Sequence, residues 1–417
     1  MKTANALCAF AALIASSHML IAAEEHSLPP QMDRQVVEKL VADNSAFAFD
    51  LYQKLLPQEG NLLFSPYSVS QALAMTYAGA EGATKEQMAG ALHFGLADDK
   101  LHPAFHALDA ELMSRGKNAK GMAGQPFALH IANAIWGQQS FDFLESFTRT
   151  LNANYGAGLH QLDFQTDPDA ARKMINDWVA EKTEDKIKEL FDQGSLGADT
   201  RLVLTNAIYF NAAWKDQFKD ANTQDDTFHL RIGDTVQLPM MNQTERFAYV
   251  EQDGMQAVEL PYDGRQVSMV VLLPKEGDFR AFEEGLCADR VAALIESLSP
   301  RRVKLTMPRF EYKSRFKLCP QMAQLGMIDA FTERADFSGM TGQRDLSISL
   351  IVHEAYIKVN EEGTEAAAAT GVAMRVTSIE QPVEPVVMKI DRPFIYLIRD
   401  RATGAILFIG RVLDPRA

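Results

Sequence analysis

The sequence predicts an α+β fold, because segments with helical apolar spacing and segments that read as strands both occur without alternating strictly. Helical spacing is common in the first half, and most segments from Arg201 onward read as strands. The chain has 417 residues, 47% of them hydrophobic and 23% charged, so it can bury a large core. We find no linker or internal repeat, although the length alone would allow two or three domains.

The N-terminus has the layout of a secretory signal peptide. Lys2 precedes an apolar stretch rich in small residues, and two glutamates follow that stretch. A membrane anchor is the alternative, but polar residues at 16–18 interrupt a stretch already short for a span of about 20 residues. We expect cleavage near Ala22 or Ala23, which removes residues 1–23 and leaves a secreted or periplasmic protein with no membrane attachment.

Four segments have helical apolar spacing. The second of them is predicted to open on a capping box formed by Thr84 and Gln87. In chain order the segments are Arg34–Leu56, Thr84–Leu92, Asp169–Phe191 and Phe282–Leu298.

Seven segments read as strands, and the last two flank a predicted hairpin turn at residues 401–404. In chain order they are Phe127–Ile135, Leu202–Phe210, Val267–Leu273, Val303–Tyr312, Ile348–Asn360, Phe394–Ile398 and Ala405–Arg411.

Charge and cysteine content exclude several classes of protein. The formal net charge of −14 argues against nucleic-acid partners and anionic membrane surfaces. The one compact basic run, Arg301, Arg302 and Lys304, is interpreted as a solvated strand edge, so we expect no heparin-like cofactor. Loss of the leader would leave only Cys287 and Cys319, which could pair or stay free.

The sequence contains no recognisable constellation for catalysis. Neither HExxH nor CxxC spacing occurs, and no phosphate-binding GxxxxGK[ST] motif is present. Gly194-Ser195-Leu196-Gly197 lacks the residue that a GxSxG nucleophile elbow places between glycine and serine. We therefore expect no enzyme, no metal site and no cofactor.

The most unusual segment is the long, nearly core-free stretch from Val359 to Val386. Its first half consists almost wholly of small residues, and the alanine run 366–369 alone would favour a helix capped by Thr364. If the segment instead has the two-residue repeat of a β-strand, alternate small or apolar side chains lie on one face, and that face could enter a sheet. That face comprises Thr364, Ala366, Ala368, Thr370, Val372 and Met374.

Residues 361–370 resemble the hinge of the reactive-centre loop of an inhibitory serpin, and MKIDRPFIYLIRD, from Met388 to Asp400, resembles that family's C-terminal signature. Further segments match in the family's order: NLLFSPYSVSQALAMTYAGA from Asn61, LHIANAIWGQ from Leu129, INDWVAEKTEDKI from Ile175, LTNAIYFNAAWKDQF from Leu204 and LTMPRFEY from Leu305. The chain is thus identified as a member of the serpin family, of the secreted bacterial type. The resemblance implies one domain over residues 30–417, with three β-sheets, eight or nine helices and an exposed loop at about 361–386.

The resemblance implies inhibition by a suicide-substrate mechanism. The target serine protease attacks the loop and forms an acyl-enzyme, and the cleaved loop inserts as a new strand into the large sheet. We expect a monomeric inhibitor that forms a covalent 1:1 complex, and a papain-like cysteine protease is a further possible target. The hinge residues implied are Glu361, Gly363, Thr364, Ala366, Ala367, Ala368, Ala369 and Thr370.

The family's usual spacing of fourteen residues from the hinge glycine places the reactive bond at Thr377-Ser378. A small β-branched side chain suits the shallow pocket of elastase-like enzymes or a tolerant subtilisin-like protease. Two alternatives stay open: Arg375-Val376, which would attract trypsin-like enzymes, and Val376-Thr377, again for an elastase-like enzyme.

The resemblance also implies residues that control opening of the sheet, although each could equally be an ordinary core polar group. A polar cluster beneath the sheet is expected at Ser65, Ser68, Asn206 and His353, and the entry site at Trp214, Arg309 and Glu361. Arg309 is the expected basic partner of Glu361. Asp185 stands where the family usually has glycine, which puts the local backbone in doubt.

The main alternative function is that of a serpin that no longer inhibits and instead acts as a binding or carrier protein. Such members tend to carry proline, charge or bulk in the hinge. The segment from Ala366 to Thr370 carries none of these.

Overall fold

A computed structural model describes residues 32–117, 119–121, 126–156, 159–231, 233–364 and 384–416. The predicted signal peptide lies outside these residues. Ten α-helices are present in the described part of the chain, one more than the upper expectation, because three of them have only four to six residues. They are α1 Arg34–Leu55, α2 Pro66–Tyr77, α3 Gly82–Leu92, α4 Asp98–Met113, α5 Glu145–Tyr155, α6 Pro168–Lys182, α7 Phe279–Glu284, α8 Ala288–Ser297, α9 Cys319–Gln324 and α10 Ser338–Thr341.

The strands confirm the α+β class. They are β1 Leu62–Phe64, β2 Ala128–Gln138, β3 Leu159–Leu162, β4 Leu202–Ala213, β5 Gln224–His229, β6 Thr235–Gln252, β7 Met255–Pro261, β8 Val267–Pro274, β9 Ser299–Pro308, β10 Phe310–Lys317, β11 Ile348–Val359, β12 Gly363–Thr364, β13 Val386–Lys389, β14 Phe394–Asp400 and β15 Ile406–Val412.

Hydrogen bonding joins these strands into two networks. A six-stranded sheet has the order β10-β11-β12-β4-β2-β3, and the larger network runs β1-β15-β14-β8-β7-β6-β9-β13, with β5 paired to β6. The 18-residue β6 belongs to both halves of the larger network, because its beginning pairs with β5 and β9 and its end pairs with β7. The β5-β6-β9-β13 part of this network therefore corresponds to the third sheet that the family resemblance implies.

Helix α2 lies at the centre of the core. All twelve of its residues are buried, and it packs against β2 and β4 of the six-stranded sheet and against β15 of the other network. Pro66 occupies the first turn, where its missing N–H is not needed, and the Ser65 side chain accepts from the backbone N of Ser68 as the N-cap. The N-cap bond therefore holds Ser65 and Ser68 directly beneath the six-stranded sheet.

Several predicted elements have different bounds in the structure. The capping box at Thr84 and Gln87 is wrong, because α3 begins at Gly82 and both side chains instead bond to the loop at residues 329–336. Helix α6 ends at Lys182, since Glu184 and Asp185 have left-handed backbones with φ of 50° and 60°.

Two predicted segments are each divided in two. The helix expected over Phe282–Leu298 is α7 and α8, separated at residues 285–287. The strand expected over Val303–Tyr312 is β9 and β10, which lie in different sheets on either side of Arg309. The predicted hairpin of β14 and β15 is confirmed. No helix among the described residues is both long and apolar enough to cross a membrane.

Candidate functional site

The predicted hinge begins as a tight hairpin at the end of β11. The backbone N of Asn360 donates to the carbonyl oxygen of Gly363 at 3.0 Å, and the Asn360 side-chain oxygen accepts from the backbone N of Glu362 at 3.0 Å. Both bonds hold a two-residue turn at residues 361–362. The chain therefore reverses and re-enters the six-stranded sheet as β12.

Strand β12 occupies a wedge between β4 and β11. These two parallel strands pair directly from Leu202/Ile348 to Ile208/Ala355 and separate beyond that point. Thr364 lies there in register with both Ala212 of β4 and Val359 of β11. The first two residues of a potential new strand are thus already part of the sheet, and the next inward step would require β4 and β11 to part.

Gly363 is required by a close approach of backbones. A Cβ atom at this position would lie 2.1 Å from the carbonyl oxygen of Ala212 and 2.7 Å from Cα of Ala213. Its φ of 158° is also one that residues with a side chain rarely adopt, so both the close contact and the backbone conformation require glycine here.

Thr364 is held from below by a buried tyrosine. Its side chain is buried, and its Oγ1 lies 2.8 Å from the hydroxyl of Tyr262. Burial raises the pKa of Tyr262, so its hydroxyl stays protonated and able to donate. No local pattern in the sequence marks Tyr262 as part of this site, because it is 102 residues from Thr364 in the chain.

Trp214 connects this tyrosine to the turn. Its ring stacks on Tyr262 with centroids 4.6 Å apart and planes within 9°. Its backbone N donates to the carbonyl oxygen of Glu362 at 2.7 Å, and its Nε1 donates to that of Asn360 at 2.9 Å. Trp214 therefore fixes the turn and the inserted hinge together.

Glu361 is a buried carboxylate with a basic partner. Only 3% of the residue is exposed, and its Oε1 accepts from Nε of Arg309 at 2.7 Å as well as from Nη2. The hydroxyl of Thr223 donates to the same oxygen, and the backbone N of Phe218 donates to the Glu361 carbonyl oxygen at 2.9 Å. A buried charge paired in this way tethers the turn to the start of β10.

A row of polar side chains crosses the six-stranded sheet below the wedge. Asn133 of β2, Asn206 of β4 and His353 of β11 are register partners. The Nδ2 atom of Asn206 donates to Oγ of Ser68 at 2.7 Å and to Oδ1 of Asn133 at 2.6 Å. Nδ2 of Asn133 in turn donates to the Ser68 carbonyl oxygen at 3.1 Å. The row and α2 are thus joined in one network, and Asn133, on a correctly predicted strand, was not recognised as part of it.

His353 closes the network as a neutral imidazole. Its Nε2 accepts from the backbone N of Ser65 at 3.0 Å, so Nδ1 carries the proton and donates to Oδ1 of Asn206. Burial lowers the pKa of His353 to about 3. Ser65, Ser68, Asn206 and His353 are all fully buried, so the hydrogen bonds among them are shielded from water.

The structure therefore brings the predicted residues into two groups. Glu361, Gly363, Thr364, Trp214 and Arg309 meet at the wedge, and Ser65, Ser68, Asn206 and His353 meet below it. Their roles in loop insertion stay predictions. Seven predicted hinge and reactive-bond positions, together with two residues of the alternative bonds, lie outside the described residues: Ala366, Ala367, Ala368, Ala369, Thr370, Thr377 and Ser378, and Arg375 and Val376.

Three other expectations concern residues away from this site. Asp185 adopts the left-handed backbone that glycine favours, with φ of 60°. Cys287 and Cys319 are both free, and burial raises the pKa of the Cys319 thiol to about 11. Within the described part of the chain, no group of three or more His, Cys, Asp or Glu side chains could hold a metal ion.

Comparisons with known proteins agree on one family. Residues 42–415 match the family model described as serpin (serine protease inhibitor). The chain is 40% identical to an uncharacterized serpin-like protein of Thermococcus kodakarensis over 89% of this chain and 85% of the relative. It is 39% identical to the leukocyte elastase inhibitor of Bos taurus over 91% of this chain and 100% of the relative. The structure resembles that of the thermophilic serpin tengpin in the native state with a TM-score of 0.81 and 29% identity, covering 93% of this chain and 96% of tengpin.

Proposed function

The chain belongs to the serpin family of serine protease inhibitors, and from this premise we propose that it traps elastase-like or subtilisin-like serine proteases as a suicide substrate. In this proposal the protease cleaves the loop, and the hinge side of the cut loop extends β12 into the wedge. The acyl-enzyme is carried away before water releases it.

The register of β12 is the observation that carries the proposal. Thr364 lies opposite Ala212 and Val359, so continuing the same register by six residues would bring Thr370 opposite both Asn206 and His353. The inserted strand would thus reach the polar row at a residue with a hydroxyl. That hydroxyl could take over a hydrogen bond when the contact between Asn206 and His353 is broken.

Residue size supports the same register. Ala366 would lie opposite Phe210 and Ile357, and Ala368 opposite Ile208 and Ala355. The flanking residues are buried, with at most 2% of each exposed, so only small side chains would pass without repacking. Fast insertion matters, because it competes with hydrolysis of the acyl-enzyme.

The energy of insertion is large enough to drive the process. A strand of about a dozen residues bonded on both sides, at about 0.5–1.5 kcal/mol per hydrogen bond, yields on the order of 10 kcal/mol. Insertion must separate the direct pairing of β4 and β11, which runs from Ile348/Leu202 to Ala355/Ile208. Each bond broken there is replaced by bonds to the new strand.

Thr377-Ser378 is the proposed reactive bond, with Arg375-Val376 and Val376-Thr377 as alternatives. The test is to incubate the full chain with pancreatic elastase, subtilisin and trypsin and to examine the products on denaturing gels and by mass spectrometry. We expect an SDS-stable 1:1 complex with an elastase-like or subtilisin-like enzyme and a released peptide that begins at Ser378. Complex formation with trypsin alone and a peptide beginning at Val376 would overturn the assignment.

We also propose that the protein acts outside the cytoplasm, on the basis of its N-terminal sequence. Expression of the complete chain in a secreting bacterial host tests this through the mass of the mature protein. The expected product lacks residues 1–22 or 1–23, and a cell-associated full-length product would contradict export.

A further inference from the structure

Three cationic side chains lie on one exposed face of β6 and β9. Arg246 and Arg302 are register partners on the two antiparallel strands, and Lys304 follows Arg302 on the same side of β9. Residues two apart in a strand share a face, whereas buried Val303 lies between them on the opposite face. We call Arg246, Arg302 and Lys304 the β9 basic face.

This arrangement opposes stability rather than supporting it. Side chains of register partners in an antiparallel pair have Cβ atoms about 4.5–5.5 Å apart, where like charges repel. In the part of the chain that the structure describes, none of the three cations forms a salt bridge. Glu245 pairs in register with Val303 and therefore belongs to the other face. The three charges are left facing solvent in a protein whose formal net charge is −14.

The face lies beside the end of the predicted reactive-centre loop. Strand β13 runs parallel to β9, with Val386 opposite Val303 and Val387 opposite Lys304. Strand β9 is therefore paired on both sides from Val303 to Thr306, which corrects the strand-edge interpretation at Lys304, whereas Arg301 and Arg302 pair only with β6 among the described strands. The proposed reactive bond lies only eight residues before Val386, where β13 begins, so a protease bound there is within reach of this face.

An apolar side chain completes the surface. Val387 is 61% exposed and projects next to Lys304 on the same face. An exposed valine among cations suits a protein partner, which offers both carboxylates and apolar atoms. A sulfated polysaccharide gains nothing from the valine and is repelled by the rest of an acidic molecule.

We propose that the β9 basic face and Val387 form an accessory docking surface for an acidic surface of the target protease, close to its active-site cleft. This inference rests on the proposed inhibitory function, since it concerns the same encounter. Charge complementarity of this kind raises the association rate and weakens as salt screens it. It does not change how the cut loop partitions between insertion and release, because Gly363, Thr364 and the polar row lie in the other sheet.

The test compares the parent with the double charge reversal Arg246→Glu/Arg302→Glu. A matched control is Lys100→Glu/Lys188→Glu, which changes the net charge equally at two exposed lysines outside the face. The probe is an elastase-like protease with a negatively charged rim around its cleft. The readout is the second-order rate at which the loop is consumed, whether by complex formation or by simple cleavage, at low and at high salt.

We expect the double reversal to slow consumption about tenfold or more at low salt, with the difference vanishing at high salt and the control matching the parent. The stoichiometry of inhibition should stay unchanged, and Val387→Ser should slow consumption at both salt concentrations. Equal rates for the parent and the reversal would overturn the docking surface while leaving inhibition intact.

Two other outcomes separate the hypotheses. If the parent is cleaved without a stable complex but the reversal still slows cleavage, inhibition fails and docking stands. If heparin accelerates the parent and the reversal abolishes only that acceleration, the face binds a polyanion and the protease proposal is wrong.

Discussion

The hydroxyl of Tyr262 and Oγ1 of Thr364 lie 2.8 Å apart at the entrance between β4 and β11. Both residues are almost entirely buried, so each hydroxyl depends on the other for a partner that water cannot supply. This pair holds the start of the hinge in the sheet as part of β12.

A double-mutant cycle should reveal the strength of that pair. Tyr262→Phe or Thr364→Val alone leaves a buried hydroxyl without its partner and should lower the free energy of the first unfolding transition by about 1–3 kcal/mol. The double variant removes both hydroxyls and should be less destabilised than the sum of the two. Urea titration followed by circular dichroism measures all four proteins, and additive losses would show that the pair is not coupled.

Gly363→Ala should displace the inserted hinge. The added Cβ meets the backbone of Ala212 and Ala213, which cannot move aside as a flexible side chain can. We expect more moles of inhibitor to be consumed per mole of protease inhibited, because the same crowding hinders the inserting strand. Gly90→Ala is the control, since a Cβ there meets nothing within 4 Å, and it should leave the stoichiometry unchanged.

Removing only Arg309 from its ion pair with Glu361 should destabilise the protein more than replacing both partners. Arg309→Met leaves a carboxylate in a residue only 3% exposed and should lower stability by about 1–3 kcal/mol, an amount limited by the 43% exposure of the Arg309 side chain. Arg309→Met/Glu361→Gln removes the stranded charge and should recover part of this loss. Thermal unfolding ranks the two variants, and a double variant less stable than Arg309→Met would refute the explanation.

Acid should loosen the sheet through His353. Its folded-state pKa of about 3 lies below the usual value of 6.5, so between these pH values the unfolded chain binds a proton that the folded chain does not. The stabilisation is therefore complete above pH 6.5 and is lost as pH falls toward 3. His353 can lower the free energy of unfolding by at most about 1.4 kcal/mol for each pH unit of acidification.

His353→Gln tests this assignment. The variant should be less stable than the parent at pH 7.5 but should lose less stability on acidification to pH 4.5. The pKa of buried His102 is also lowered, to about 4, but His102 is present in both proteins. Its effect on the pH dependence of stability therefore cancels when the two are compared. Parallel pH profiles of the parent and the variant would assign the acid sensitivity to other groups.

The sequence predicts local elements well where apolar periodicity is uninterrupted, as in α1 and β11. It fails where the outcome depends on distant contacts. The apolar pattern through Val303 and Tyr312 is continuous, but the chain changes sheets at Arg309, and only tertiary pairing reveals the change. Tyr262 gives no local signal because its partners, Thr364 and Trp214, are far away in the chain. The expected pairing of Arg309 with Glu361 came from the family resemblance, since no periodicity relates two residues 52 apart.

Cleavage of the loop should stabilise the whole molecule. Among the loop residues that the structure describes, Gly363 and Thr364 already pair in the sheet with β4 and β11, and cleavage at Thr377-Ser378 would free the residues that follow Thr364 to extend the same strand. Each added residue gains backbone hydrogen bonds on two sides, so limited proteolysis should raise the midpoint of thermal unfolding by tens of degrees.

Thr364→Arg provides the decisive comparison, because it places an unpaired charge at a residue that is 1% exposed and lies on the path of insertion. This variant should be cleaved at the same bond without the gain in stability and without trapping protease, as should Ala366→Pro, which removes a donor from the inserted strand. Glu384→Arg adds a positive charge at an exposed position near the end of the loop, after the proposed reactive bond and outside the inserting segment, and should behave like the parent. If the cleaved parent gains no stability, the loop does not insert, and the binding or carrier alternative replaces inhibition.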